Sequence, residues 1–247
     1  MRVLVLSGTG DGRALVRSLT EAGHDVTESV AGRTKLAREM AGVRVGGFGG
    51  ADGLVEWLGA NAVDVVVDAT HPFAATMTAN AAAACAQSGV RLARWVRPSW
   101  RSRPDADAWT WVEGHDEACA TVESVRTATE PGRVLLTIGR QNLDTYRRLD
   151  DVIARVTEPA PGWETPFGWE MLIARGPFTV EGEIALLRDL GVGIVVSKDS
   201  GGEATSAKLD AAAALGVRIV MVSRPPTPDD VPEFAGQDEL LAWLRPR

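Results

Sequence analysis

The chain has 247 residues and a formal net charge of −7, from 26 Lys and Arg against 33 Asp and Glu. This length suits one large α/β domain or two small ones, and the acidic balance argues against a surface for nucleic acid or an anionic membrane. Because the two cysteines and three histidines lack metal-ligand spacing and no apolar run reaches bilayer length, we expect a cytoplasmic protein without a metal site. We also expect a monomer, although no sequence feature determines the oligomeric state.

The chain begins with a buried-strand pattern that runs directly into glycines. Val3 to Leu6 is apolar, Gly8, Gly10 and Gly12 follow, and an amphipathic helix is predicted over 13–22. A strand, a glycine turn and a helix start together let a pyrophosphate approach the backbone and face free N–H groups. The spacing departs from Gly-x-Gly-x-x-Gly, so a tight turn of an ordinary α/β protein is the alternative.

A basic segment follows the predicted second strand, residues 25–31. Gly32 precedes Arg33, which stands about where a dinucleotide fold places an acid for the ribose 2′-hydroxyl. A guanidinium suits a 2′-phosphate instead, so the sequence favours NADP over NAD. A solvated basic loop is the alternative. Four glycines within residues 46–50 then predict a loop that lies close to a ligand or to another chain segment.

The predicted strand over 63–67 ends in a segment that contains Thr70, His71, Pro72 and Phe73. Carboxyl ends of parallel strands face the ligand crevice, so we expect these residues near the nicotinamide half of a cofactor. His71 can be a proton donor, a cofactor contact or only a loop residue.

A segment rich in proline and arginine, residues 97–104, predicts a domain linker. The alternation of strands and helices restarts after it, so we predict two Rossmann-like parallel-sheet α/β domains. The first spans residues 1–97 and binds the cofactor, and the second spans residues 98–247 and binds the substrate.

Three predicted strands of the second half end in cations, namely Arg140, Arg175 and Lys198. At corresponding positions of successive units they converge on one edge of the sheet, which suits a ligand with several carboxylates. Unrelated surface cations are the alternative. A flexible anion-binding loop is also predicted after Lys198, with a further cation on the next helix. These residues are Ser200, Gly201, Gly202, Thr205 and Lys208.

Six motifs in order and spacing support a resemblance over nearly the whole chain. They are Leu6–Arg13, Asp68–Ala74, Arg97–Trp100, Leu136–Gln141, Ala174–Phe178 and Val196–Gly202. The chain resembles the precorrin-6A reductases, NADPH-dependent enzymes of cobalamin (vitamin B12) biosynthesis. The resemblance implies that two α/β domains hold NADPH and a tetrapyrrole in the cleft between them, and that hydride transfer converts precorrin-6A to precorrin-6B. A cobalt-containing substrate is the close variant.

The resemblance also implies roles for individual residues. The cofactor set is Gly8, Thr9, Gly10, Asp11, Gly12, Arg13, Gly32, Arg33, Thr70, His71, Pro72 and Phe73. The substrate set is Arg97, Arg140, Gln141, Arg175, Lys198, Ser200, Gly201, Gly202, Thr205 and Lys208. The required proton comes from Lys198, Asp199, His71, a substrate carboxyl or water, and the sequence leaves this choice open.

Two other classes of protein compete with this interpretation. A short-chain dehydrogenase needs a tyrosine with a lysine four residues later, but the single tyrosine is Tyr146 and position 150 is Asp150. That class is close to excluded. A module that binds NADP without transferring a hydride remains as a non-enzymatic alternative.

Overall fold

The structure, a computed structural model, describes residues 1–32, 41–126 and 132–245. The chain forms two six-stranded sheets in which every strand pair is parallel, with helices packed on them. This confirms the predicted α/β class. One compact unit contains Met1–Arg97 and Pro225–Arg247, and the other contains Pro98–Arg224.

The first unit has the strand order β12-β5-β4-β1-β2-β3. Its strands are β1 (Arg2–Leu6), β2 (Asp25–Val30), β3 (Arg44–Val45), β4 (Val65–Asp68), β5 (Arg91–Trp95) and β12 (Glu233–Phe234). Its described helices are α1 (Gly10–Glu21), α2 (Gly50–Ala60), α3 (Ala75–Ser88) and α7 (Gln237–Leu244). The order runs outward from β1 in both directions, through β2 on one side and β4 on the other. The carboxyl end of β1 is therefore the topological switch point, where α/β proteins bind ligands.

The second unit has the strand order β6-β11-β10-β7-β8-β9. Its strands are β6 (Thr110–Val112), β7 (Arg133–Leu136), β8 (Val152–Val156), β9 (Trp169–Ile173), β10 (Val192–Lys198) and β11 (Arg218–Val222). Its described α-helices are α4 (His115–Val125), α5 (Val180–Asp189) and α6 (Ala207–Leu215). The segment after β7 forms a 3-10 helix over Arg140–Tyr146.

Alternating apolar residues bury the first sheet on both faces. Val3 and Val5 of β1 pack in a cluster with residues of α1 and α7, whereas Leu4 and Leu6 pack in a second cluster with residues of α2 and α3. Successive strand residues point to opposite faces, so a central strand covered by helices on both sides reads as a continuous apolar run. Each fully buried side chain of this kind contributes about 1.5–3 kcal/mol of stability.

The C-terminal segment packs with the first unit, although the sequence predicts that it belongs to the second domain, residues 98–247. Glu233 and Phe234 pair in parallel with Arg94 and Trp95, and Leu240 lies in the apolar cluster of the first sheet. A strand of only two residues is too short for its periodicity to be recognised.

In the described part of the chain, no helix combines the length and the apolar character needed to cross a bilayer.

Candidate functional site

The glycine turn lies at the switch point, between β1 and α1. Thr9 caps α1, because its Oγ1 accepts a hydrogen bond from the Gly12 N–H at 3.0 Å. Gly8 has a φ of 142°, and a Cβ atom added at Gly8 or Gly10 would meet no atom within 4 Å. These two exposed glycines therefore leave open space at the helix N-terminus, which favours anions.

Gly12 has a different role from the two glycines before it. It is buried, and a Cβ atom there would lie 2.7 Å from Ser7 Oγ and 3.3 Å from the Ala69 carbonyl oxygen. Its missing side chain allows α1 to pack against the ends of β1 and β4. Gly12 therefore determines how the turn packs against the sheet, whereas Gly8 and Gly10 border the open space.

Arg97 lies beside the same turn. Its Nε is 2.6 Å from Oδ2 of Asp11, in the first turn of α1, and its side chain is 16% exposed. The sequence assigns Arg97 to the substrate, but the structure places its guanidinium in the first unit, against the glycine turn. The ion pair offsets a carboxylate that would otherwise oppose an anion at this helix start.

A cleft of about 330 Å³ opens at the carboxyl edge of the first sheet. It brings together four residues of the predicted cofactor set, from the ends of β1, β2 and β4. These are Gly8, Gly32, Thr70 and His71. Arg33, the predicted partner of a 2′-phosphate, lies outside the described residues.

Sequence reasoning missed several residues of this cleft. Ser29, Phe48, Met77 and Asn80 line it together with Gly46 and Gly47. The glycine run over 46–50 signalled a close approach to a ligand, but nothing local marked Phe48. Helix α3 brings Met77 and Asn80 to the cleft through its packing.

Asp68 holds the loop that carries His71. Its buried carboxylate accepts hydrogen bonds from the Thr70 N–H at 3.0 Å, from Thr70 Oγ1 at 2.6 Å and from Thr78 Oγ1 at 2.7 Å. The Arg94 Nε lies 3.3 Å from Oδ2 of Asp68. Two strand ends and one helix therefore fix the loop.

The His71 ring is oriented from within its own loop. Nδ1 accepts a hydrogen bond from the Phe73 N–H at 3.2 Å, and the intervening Pro72 is buried. A neutral imidazole with an accepting Nδ1 carries its proton on Nε2. His71 therefore offers a donor rather than a second acceptor.

The predicted cations of the second unit share the carboxyl edge of its sheet. Lys198 ends β10, Arg140 follows β7 and Arg175 follows β9. Strands β10, β7, β8 and β9 are consecutive, so the three positions span roughly 14 Å at a strand spacing of about 4.8 Å. A Cβ atom added at Gly139 would lie 4.0 Å from the Lys198 Nζ. The predicted shared edge is therefore observed.

The surroundings of these cations differ. Arg140 Nη1 donates to Glu158 Oε1 at 2.9 Å and to the Pro159 carbonyl at 3.0 Å. Arg175 is exposed and Lys198 is half-buried. Gln141, also in the predicted substrate set, is exposed next to Arg140.

The carboxylate of Asp199, one of the proton donors that the sequence leaves open, is buried and hydrogen-bonded within the second unit. Asp199 is 2% exposed, and its carboxylate accepts hydrogen bonds from Ser99 Oγ at 2.6 Å and from the Trp100 N–H at 2.9 Å. The Arg224 Nε lies 3.1 Å from Oδ2. Both oxygens are therefore used to fasten the two ends of the second unit.

Lys208 is buried, contrary to its predicted place among the substrate ligands. It is 5% exposed, and its ammonium donates to the Thr205 carbonyl at 2.5 Å and lies 4.7 Å from the Trp100 ring centre. Burial lowers the pKa of Lys208 to about 7, with the nearby Arg155 acting in the same direction. The lysine therefore supports the loop from inside.

The loop after Lys198 contains two glycines with positive φ, and Gly201 is buried while Ser200 and Gly202 are half-buried. Gly201 and Gly202 have φ values of 64° and 80°, which glycine adopts readily, and Ser200 precedes them. The short 3-10 helix Glu203–Thr205 follows, so Thr205 supplies a carbonyl to Lys208.

His115 is a residue of the second unit that the sequence did not mark as functional, because it fits no metal-ligand spacing and lies outside the six motifs. It begins α4, and its Nδ1 lies 2.9 Å from the hydroxyl of the buried Tyr146. Burial, followed by the charge of Lys198, lowers the pKa of His115 to about 4. A neutral imidazole therefore lies within the field of the Lys198 ammonium. Among the described residues, no group of three or more His, Cys, Asp or Glu side chains is placed to hold a metal ion.

The family model for precorrin-6x reductase CbiJ/CobK matches residues 2–245. The chain belongs to this family. It is 42% identical to the precorrin-6A reductase of Rhodococcus erythropolis, in an alignment that covers 98% of this chain and 97% of that protein. It is 31% identical to the cobalt-precorrin-6A reductase of Priestia megaterium, with 90% of each chain covered.

A solved structure, a CobK precorrin-6A reductase, has the same fold. It superposes with a TM-score of 0.86 at 38% sequence identity, covering 99% of this chain and 96% of that one. The resemblance inferred from the six motifs is therefore confirmed. In this chain, the motifs Leu6–Arg13 and Asp68–Ala74 form the glycine turn and the His71 loop, and the last three motifs lie at the cationic edge of the second sheet.

Proposed function

We propose that the protein reduces precorrin-6A to precorrin-6B with NADPH in cobalamin biosynthesis. The observation that carries this proposal is the match to a reductase family over residues 2–245. The higher identity to precorrin-6A reductases, 42% against 31% for the cobalt-precorrin enzyme, favours the cobalt-free substrate.

The first unit fits NADPH at its glycine turn. Gly8 and Gly10 have open space where a side chain would stand, and they lie at the N-terminus of α1. We assign the pyrophosphate of the cofactor to this turn. Thr9 and Arg13 would lie on either side of the pyrophosphate, and Gly12 allows the turn to pack against the sheet. The predicted 2′-phosphate partner is Arg33. When bound, the cofactor supplies a hydride.

The His71 loop would border the nicotinamide ribose. The hydrogen bond from the Phe73 N–H to Nδ1 leaves Nε2 as the donor of a neutral ring, which suits an oxygen acceptor. Thr70 and Pro72 keep this loop in place. We therefore assign His71 to cofactor binding rather than to proton transfer.

The cationic edge of the second unit fits a substrate with several acetate and propionate groups. Lys198, Arg140 and Arg175 occupy an edge of roughly 14 Å, comparable with a macrocycle that has carboxylates around its rim. Gln141 and the loop over 200–202 would add neutral donors. A charge-assisted contact contributes roughly 1.5–3 kcal/mol.

Reduction of a conjugated double bond also requires a proton. We assign the donor role to Lys198, because the Asp199 oxygens already accept hydrogen bonds from Ser99 and Trp100. An ammonium group at the substrate edge can release a proton there. The charge of this ammonium contributes to the lowered pKa of His115, so the neighbouring imidazole is neutral and adds no second positive charge to this edge.

The test is anaerobic stopped-flow mixing of the protein and NADPH with precorrin-6A. We expect NADPH absorbance to disappear in proportion to the precorrin-6B formed. Arg33→Ala should raise KM for NADPH about tenfold and change KM for NADH little, because only NADPH has the 2′-phosphate. NADPH binding without oxidation by either precorrin-6A or its cobalt form would instead indicate a non-enzymatic NADP-binding module.

A further inference from the structure

Arg44 binds the loop between β3 and α2 from inside. Its Nη1 donates to the Gly46 carbonyl at 2.7 Å and to Ser29 Oγ at 3.2 Å, and its Nη2 donates to the Gly47 carbonyl at 2.8 Å. The planar fork of an arginine can hold two adjacent carbonyls in this way, whereas the point charge of a lysine cannot. Arg44 therefore determines the path of the loop.

The same guanidinium lies against the next residue of the loop, Phe48. Its central carbon is 3.5 Å from the centre of the Phe48 ring, and the Trp57 ring packs edge-on at 5.5 Å between centroids. Phe48 is half-buried and lines the cleft of the first unit. An aromatic surface is thus held firmly at the cleft wall.

Glycines allow the loop to take this shape. A Cβ atom at Gly53, in the first turns of α2, would lie 1.9 Å from the Phe48 carbonyl oxygen. Gly46, Gly49 and Gly50 have φ values of 114°, 86° and 91°, which side-chain-bearing residues rarely adopt. Four glycines and one arginine therefore serve to place one phenylalanine.

The position of Phe48 in the cleft indicates what it contacts. The cleft extends from His71 after β4, past Gly8 after β1, to Gly32 after β2 and Phe48 after β3. With the pyrophosphate at β1 and the nicotinamide half at β4, the adenosine half extends toward β2 and β3. An aromatic ring at that end suits a purine base.

We propose that Phe48 is the wall against which the adenine of NADPH packs, and that Arg44 is the positioning residue that holds Phe48 there. This inference rests on the proposed function, because it takes the ligand of the cleft to be NADPH. It adds a specific subsite to the cleft, formed by residues that are absent from the six sequence motifs.

The experiment compares three ligands in equilibrium titrations. They are NADPH, 2′,5′-ADP, which is its adenosine half, and reduced nicotinamide mononucleotide, which is the other half. The variants are Phe48→Leu, which keeps apolar volume but removes the ring, and Arg44→Lys, which keeps the charge but removes the fork. Arg91→Lys is the matched control, because Arg91 also lies over an aromatic ring, 3.9 Å from the Trp243 ring centre, and donates to the Trp243 carbonyl at 2.7 Å.

We expect Phe48→Leu and Arg44→Lys to raise Kd for NADPH and for 2′,5′-ADP about tenfold, a typical loss for one base–aromatic contact. Binding of the mononucleotide should stay within about twofold in both variants. Arg91→Lys should bind all three ligands like the wild type. Thermal unfolding of each variant checks that the fold is kept.

Unchanged binding of 2′,5′-ADP in Phe48→Leu would overturn the adenine wall. Equal weakening of all three ligands would also overturn it, since that pattern indicates general loss of structure. If the wild-type protein binds neither NADPH nor 2′,5′-ADP, the proposed function fails as well. If the wild type binds both and the variants bind them equally well, only the subsite is wrong.

Discussion

The two sheets have the same all-parallel, six-stranded architecture, but their carboxyl edges present opposite chemistry. The strand ends of the first unit lead into glycines, at positions 8, 32 and 46. Those of the second unit carry cations, in Arg140, Arg175 and Lys198. Glycines at the strand ends let backbone N–H groups come close to a ligand. Lysine and arginine at the strand ends instead attract carboxylates through long side chains. The fold therefore provides the positions, and the loops determine the ligands.

The largest effect should come from adding a side chain to the glycine edge. Gly12→Val places atoms where a Cβ already lies 2.7 Å from Ser7 Oγ, so it should push α1 away from the strand ends. We expect Kd for NADPH to rise about 100-fold, or the first unit to lose about 3 kcal/mol of stability. Titration and urea unfolding measure the two outcomes.

Gly59→Ala is the control for this change. A Cβ at Gly59, within α2, meets nothing within 4 Å, so alanine should be neutral or slightly stabilising. If Gly12→Val bound NADPH like the wild type, cofactor binding at the glycine turn would not depend on the close packing of α1 against the strand ends.

The next largest effect is a difference in activity between substitutions of two lysines of the second unit, Lys198 and Lys208. Lys198→Met should raise KM for precorrin-6A or lower kcat, by about 10- to 100-fold in kcat/KM, with the NADPH Kd unchanged. Lys208→Met should leave kcat/KM within about threefold, because the Lys208 ammonium is inside the unit. Anaerobic initial rates distinguish them. Equal losses in both variants would contradict the conclusion that the Lys208 ammonium lies inside the unit and does not contact the substrate.

The smallest effect concerns stability and pH at His115, which faces Lys198, Asp116 and Tyr146. Its folded-state pKa is about 4, below the ordinary 6.5, so the unfolded chain binds more protons between these values. Stability is therefore fully present above pH 6.5 and falls as pH drops toward 4, by about 1–2 kcal/mol at pH 5. Urea unfolding at pH 7 and pH 5 measures this loss. His115→Gln should show a smaller decrease than the wild type, and an identical decrease would exclude His115 as its source.

Much of the fold of this protein could be predicted from short patterns in its sequence. The apolar run before Gly8 and the glycines at 8, 10 and 12 are adjacent in sequence, and each of the three cations lies within four residues of the end of its strand. Secondary structure and strand ends depend on such short-range features, and the parallel sheet then follows from the alternation of elements. The fold class and the family were therefore predictable, whereas the cofactor and substrate roles remain proposals.

Contacts between distant residues were decided only by the tertiary structure. Asp199 accepts its hydrogen bond from Ser99, 100 positions away, and Glu233 pairs with Arg94, 139 positions away. Lys208 looked like a surface cation until packing placed it under Trp100. No local pattern encodes these partners, because burial and pairing depend on which elements meet in space. The sequence by itself determined the elements and the chemistry of their ends, and the packing decided which of those side chains could reach a ligand.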